Sequence, residues 1–308
     1  MKKILSIILA LTMCLSLVAC GGSSDSGSGK ETDTSGEKTA QTETKKEEQL
    51  KEVEFETVTV LDNEYCLIEI TALKVKGDEA ELKVLMENKT EDKNQMISLR
   101  EASINGYDCE PFFATTVAAG KKASKTIDVE VGSLAGKEIK NATDIELYFH
   151  VSDSDDFMAD PYGDGRATLY PFGEEMAEKY IRADVSTDIL IADTDEVKVV
   201  AVGVDSDDMF GYGLVLYLEN KTDGEVMYTV DNVSVNGFMA DPFWATSLSA
   251  NTVCYKELTW FSTTLEDAGV ETVEEIEMNF KAYDYEDWFD DKYFEEIITL
   301  NTADLIEK

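Results

Sequence analysis

The chain has 308 residues, of which 64 are acidic and 27 basic, giving a formal charge of −37 at neutral pH. A surface this acidic repels a phosphate backbone, so nucleic acid is excluded as a partner. The length suffices for two cored domains, and 19 glycines with 4 prolines exclude a collagen-like or wholly disordered chain.

Met1 to Lys3 form a short basic region, residues 4–18 are almost wholly apolar, and Leu17-Val18-Ala19-Cys20 follows. The apolar run is shorter than the ~20 residues a membrane-spanning helix needs, and it ends at a small-residue cleavage site, so residues 1–19 read as a signal peptide. Leu17 to Cys20 resembles a bacterial lipoprotein box. The resemblance implies cleavage before Cys20, a diacylglyceryl group on its thiol, and anchoring to the outer face of the cell membrane. From residue 20 to residue 50 only Ala40 and Leu50 interrupt a Gly, Ser, Thr, Glu and Lys composition that cannot build a core. This segment reads as a tether spanning roughly 30 Å as a flexible coil.

From residue 51 the chain repeats itself. Ser103-Ile104-Asn105-Gly106 returns 131 positions later as Ser234-Val235-Asn236-Gly237, and Pro111-Phe112-Phe113-Ala114-Thr115 returns as Pro242-Phe243-Trp244-Ala245-Thr246. Glu87-Asn88-Lys89-Thr90 matches Glu219-Asn220-Lys221-Thr222 after a one-residue shift. A period of this length marks a duplicated domain rather than a solenoid. Each copy alternates apolar and polar residues with period two, as in Cys66, Ile68 and Ile70 or Ile145, Leu147, Phe149 and Val151. With Asn-Gly turns between strands, the pattern predicts an all-β fold of two tandem immunoglobulin-like antiparallel β-sandwiches, repeat 1 over 51–172 and repeat 2 within 173–308. Two kinds of helical piece interrupt it. One is a short connection over 133–141 and again over 264–272; the other is a linker helix after Pro171, where Phe172, Met176 and Tyr180 fall at helical spacing.

Once Cys14 leaves with the signal and Cys20 takes lipid, Cys66, Cys109 and Cys254 remain. Their counterparts in the other copy are Val197, Ala240 and Ala123, so they read as buried small hydrophobes rather than a disulfide framework. His150 is the sole histidine and lies on the polar parity of its strand. The parts for zinc, serine-hydrolase or nucleotide chemistry are missing, and the chain reads as a non-enzyme.

Two features point to binding. Asp153, Asp155 and Asp156 in copy one and Asp284, Glu286 and Asp287 in copy two occupy the loop before the last strand, a carboxylate density that suits calcium without meeting EF-hand spacing. Within the same loop of copy two, Tyr283, Tyr285, Trp288 and Phe289 place aromatic rings among carboxylates, which suits a carbohydrate or a cationic peptide.

The box at Cys20, the tether, and the Glu-Asn-Lys-Thr, Val-Ser-Val-Asn-Gly and Asp-Pro-Phe-Trp segments together resemble the uncharacterised immunoglobulin-like surface lipoproteins of Gram-positive bacteria. The resemblance implies a lipid-anchored protein that presents its two domains to an extracellular protein or glycan. A structural spacer and a glycan-acting enzyme using a carboxylate pair are the alternatives to it.

Overall fold

A computed structural model describes residues 50–156, 158–206, 210–287 and 292–308. The signal peptide, Cys20, the tether up to residue 49, Trp288 and Phe289 lie outside the described residues.

The first repeat contributes β1 (Lys51–Glu52), β2 (Val58–Asp62), β3 (Cys66–Lys76), β4 (Glu79–Asn88), β5 (Gln95–Ile104), β6 (Tyr107–Asp108), β7 (Phe113–Val117), β8 (Lys122–Glu130), β9 (Ile145–Asp153) and β10 (Gly163–Leu169). The second contributes β11 (Ile189–Asp193), β12 (Val197–Asp205), β13 (Gly211–Asn220), β14 (Val226–Val235), β15 (Phe238–Met239), β16 (Ala245–Leu248), β17 (Val253–Phe261), β18 (Glu275–Asp284) and β19 (Phe294–Asn301). The protein is an all-β antiparallel sandwich in each repeat. In the first, β3-β4-β8 packs against β7-β5-β9-β10; in the second, β12-β13-β17 packs against β16-β14-β18-β19.

The alternation read from the sequence sets these faces. Ile68, Ile70, Leu82, Val84 and Met86 are fully buried opposite Ile97, Leu99, Leu147 and Phe149, and Trp260, Tyr228 and Phe280 fill the second core. Duplication extends to irregularities. The β2–β3 ladder bulges at Thr59/Leu61 and the β11–β12 ladder at Leu190/Ala192, while β3–β4 bulges at Ile70/Ala72 and β12–β13 at Ala201/Gly203. Both Asn-Gly turns adopt positive φ at the two residues, as a tight hairpin turn requires.

The conserved asparagines brace each copy from inside. Asn105 Oδ1 accepts from the backbone of Thr143 and Asp144, as Asn236 Oδ1 does from Glu274 and Glu275. The buried Asn88 donates to the carbonyls of Lys93 and Val117 and accepts from Thr90, while Asn220 donates to Gly224, Leu248 and Ser249 and accepts from Thr222. The Glu-Asn-Lys-Thr motif is therefore a structural clamp.

The interrepeat linker departs from expectation. In place of a helix, Glu174–Met176 form a single 3-10 turn, and Phe172 and Met176 are exposed. Tyr180 leaves the helical stripe because it packs edge-on against Tyr107, with ring centroids 5.7 Å apart, and donates its backbone N–H to the Asn105 carbonyl at 2.7 Å. The expected connecting helices are present but short, α1 over Ser133–Gly136 and α2 over Ser262–Ala268.

Candidate functional site: a cleft between the repeats

The site begins with the joint that creates it. Tyr107 pairs in parallel with Val253, so β6 carries the sheet of the first repeat on to β17 of the second. Val253 donates its N–H to the Gly106 carbonyl at 2.9 Å, and Tyr255 donates its N–H to the Tyr107 hydroxyl at 3.0 Å. Around this seam, Arg182 forms a two-pronged pair with Asp188 at 2.6 and 2.7 Å and donates through Nε to the Tyr255 hydroxyl. Both side chains of the pair are nearly buried, at 6% and 11% exposure. Val200, Val202, Val215 and Tyr217 form a second small core on the outer side of the β12–β13 sheet, beneath Tyr180 and Tyr255. Asp108, buried in the joint, accepts from the backbone of Glu110 and Ser249, and burial pushes its carboxyl above the usual range.

The joint holds the outer face of β5-β9-β10 opposite three turns of the second repeat. Cross-strand register sets Tyr148 beside Glu101 and Arg166. The Arg166 guanidinium lies 4.0 Å from the Tyr148 ring centroid and grips Glu101 with two hydrogen bonds of 2.8 and 3.1 Å. One step along, His150 Nδ1 lies 2.6 Å from Asp164 Oδ1. Burial, followed by a hydrogen bond to Asp164, raises the Tyr148 hydroxyl, which stays protonated.

Facing them are Asp223–Glu225, Ser249–Thr252 and Asp284–Glu286. The space between is a cleft of about 660 Å³ bordered by Arg100, Tyr148, Arg166, Glu225, Asp284 and Tyr285. It adjoins a chamber of about 230 Å³ that shares Glu101, Tyr148, Arg166 and Ala250 with it and reaches Ser103, Glu146 and Thr168. Asn220 clamps two of the three facing turns, and Tyr285 ties the third to them by donating its N–H to the Glu225 carbonyl at 3.0 Å.

Of the residues singled out from the sequence, Asp284, Tyr285 and Glu286 line this cleft, and Tyr285 is half exposed. Tyr283 does not; its ring lies 5.4 Å from the Lys292 ammonium. The two acidic loops stay in separate repeats. Asp153 is buried, with Oδ1 accepting from the Asp155 N–H at 2.9 Å and Oδ2 paired with Lys93 at 3.0 Å, contacts that hold its carboxyl below the usual range. Asp156 accepts from the Met158 N–H, and Asp284 accepts from the N–H groups of Glu286 and Asp287. These carboxylates organise their loops, and among the described residues no group of three His, Cys, Asp or Glu is arranged as a metal requires.

Sequence reading missed Glu101, Ser103, Tyr148 and Arg166. The available signal was Tyr148 itself, an aromatic residue on the parity that should face water. Cys66 and Cys254 are buried, Cys109 is half-buried, and all three are free thiols. Burial pushes Cys66 up to about 11 and the other two higher, so none is poised as a thiolate.

Fold and cleft together define an all-β protein of two duplicated sandwiches with a groove at their junction. No family model matches the chain, and no curated protein matches it. Among solved structures it is similar to the crystal structure of red sea bream transglutaminase, at 11% identity and a TM-score of 0.22, over 74% of this chain and 30% of that one. The chain thus spans under a third of that protein's length, and so loose a likeness carries no functional argument.

Proposed function

We propose that this is a non-catalytic, lipid-anchored surface protein of a Gram-positive bacterium that binds an extracellular protein or carbohydrate in the cleft between two immunoglobulin-like domains. The observation that carries the reading is the cleft itself: both repeats contribute to it, and it includes the loop residues whose composition suggested binding. The immunoglobulin-like assignment is supported by strand order, three strands facing four with β8 and β17 crossing back to the first sheet. A non-catalytic role is supported by the buried thiols and by Glu101 being neutralised by Arg166, which leaves it poorly suited to acid catalysis. Anchoring is supported by the box at Cys20, and replacing that residue by Ser should move the protein from the membrane fraction to the soluble one.

The binding test probes glycan and peptide arrays with the full chain in detergent. A ligand should emerge whose binding falls at least tenfold in a Tyr148→Ala, Tyr285→Ala double variant. Full-strength binding by that variant would overturn the cleft as the binding surface, and silence on every array would favour the spacer.

A further inference from the structure

The chamber at the inner end of the cleft contains an unusual group. Ser103 is only 4% exposed, and its Oγ has no hydrogen-bond partner. Folded proteins rarely leave a buried hydroxyl in this condition, because it forfeits its hydrogen bonds to water and receives nothing in return. Ser103 lies on the outward parity of β5, between inward Ala102 and Ile104, and the 249–252 turn of the second repeat walls the same chamber. The bare hydroxyl thus belongs to a space completed by the docking of the two repeats.

We propose that this chamber takes an alkylammonium group, the side chain of a lysine in an extracellular peptide. The inference rests on the cleft being the binding surface and adds the chemistry of its occupant. An ammonium carries three donors and no acceptor, and the chamber offers the acceptors Ser103, Glu146, Glu101 and Thr168, with Ala167 and Ala250 beside the path of an alkyl stem. Farther out, Asp223, Glu225, Asp284 and Glu286 line the wider cleft on the second-repeat side, and among the described residues none of the four forms a salt bridge. Four carboxylates in one recess favour a cation and repel an anion. Arg166 is engaged with Glu101 and is not available to recruit a carboxylate ligand. A sugar ring is the weaker candidate for the chamber, since the Tyr148 face on which it would stack is covered by that guanidinium. Arg100, exposed on the opposite wall, disfavours a uniformly basic ligand and so points to spaced lysines.

The test is calorimetric titration of the full chain with the acetylated, amidated peptide Gly-Lys-Gly-Gly-Lys-Gly, with the same peptide carrying norleucine for lysine, and with neutral chitotetraose. The lysine peptide should bind at least tenfold more tightly than the norleucine one. Ser103→Ala should weaken it about fivefold while leaving Tm unchanged or higher, because the substitution removes an unpaired hydroxyl. A purely structural Ser103 would instead lower Tm and leave affinity alone, which would overturn the proposal. Glu225→Gln with Glu286→Gln should weaken binding, whereas Glu54→Gln with Glu56→Gln, which removes equal charge from exposed positions outside the cleft lining, should not. Equal weakening by both pairs would show general charge attraction and overturn the proposal. If chitotetraose alone bound, dependent on Tyr148 and Tyr285, the lysine proposal would fall and the binding cleft would stand. If neither probe bound, the lysine proposal would fall, and the array experiment would decide the fate of the cleft.

Discussion

Asn220 offers the most direct way to connect stability with the cleft. Its Nδ2 donates to the carbonyls of Gly224, Leu248 and Ser249 at 2.7, 2.9 and 2.9 Å, and its Oδ1 accepts from the Thr222 N–H at 2.8 Å. Asn220→Ala strips all of these, but the groups left behind differ in exposure. The Leu248 carbonyl belongs to a fully buried residue, Thr222 is half-buried, and Gly224 is exposed and can turn to water. At about 1 to 3 kcal/mol for a buried orphan and little for an exposed one, the loss sums to about 2 to 4 kcal/mol. That is a large share of the ~5 to 15 kcal/mol that holds a domain folded, and it corresponds to a fall in Tm of roughly 5 to 15 °C. Asn88→Ala should cost a similar amount, because Asn88 makes the equivalent contacts in the first repeat. The variants part company in amide hydrogen exchange. Only Asn220→Ala should speed exchange across 222–225 and 249–252, the turns that face Tyr148. A loss below about 1 kcal/mol by urea unfolding for both variants would refute the clamp argument.

Three further outcomes are expected. A Cβ on Gly211 would sit 2.0 Å from the Trp260 carbonyl, so Gly211→Ala should cost about 2 kcal/mol or more, whereas Gly224→Ala, with Asp284 at 4.0 Å, should stay within about 0.5; equal urea midpoints would contradict this. Hydrogen bonds from Arg182 hold the Asp188 carboxyl below its usual range, so its stabilising contribution is complete above the unfolded value of about 3.9 and is lost as pH falls through the lower folded value. The urea midpoint should therefore decline below about pH 4, less steeply in Asp188→Asn, and a flat wild-type profile down to pH 2 would refute the linkage. Because Asp153 is engaged by Lys93 and its own loop backbone, Ca²⁺ and Mg²⁺ at matched ionic strength should give the same unfolding temperature; a rise particular to Ca²⁺ would show that the acidic loop rearranges into a cage.

Period-two alternation exposed the strands, and the duplication located them twice, because both follow from which side of each sheet faces its own core. The cleft was less legible, since it depends on contacts between copies that no pattern within a copy encodes. One trace was nevertheless written in the chain. Where the first repeat alternates as Ala80-Glu81-Leu82-Lys83-Val84, the second runs Leu214-Val215-Leu216-Tyr217-Leu218, and Val199 to Val202 is likewise unbroken. Continuous apolar strands are covered on both faces, and here the second cover is the linker with Tyr180 and Tyr255. The linker helix failed for the complementary reason: three residues at helical spacing are weak evidence when one of them, Tyr180, gains more from neighbours distant in sequence.

The duplicated turn has two fates. Tyr107 is buried in the seam, while its counterpart Phe238 is 56% exposed, although the two strands occupy the same place in their sandwiches. On the receiving side, Tyr255 in the second repeat corresponds to Ser124 in the first. The copies have therefore ceased to be interchangeable parts. A gene rearranged to place the second sandwich ahead of the first would encode every strand and core residue intact yet bring Phe238 against Ser124, losing the tyrosine cluster and the cleft with it. Descent from one ancestral module has produced a molecule whose segments commute in composition but not in order.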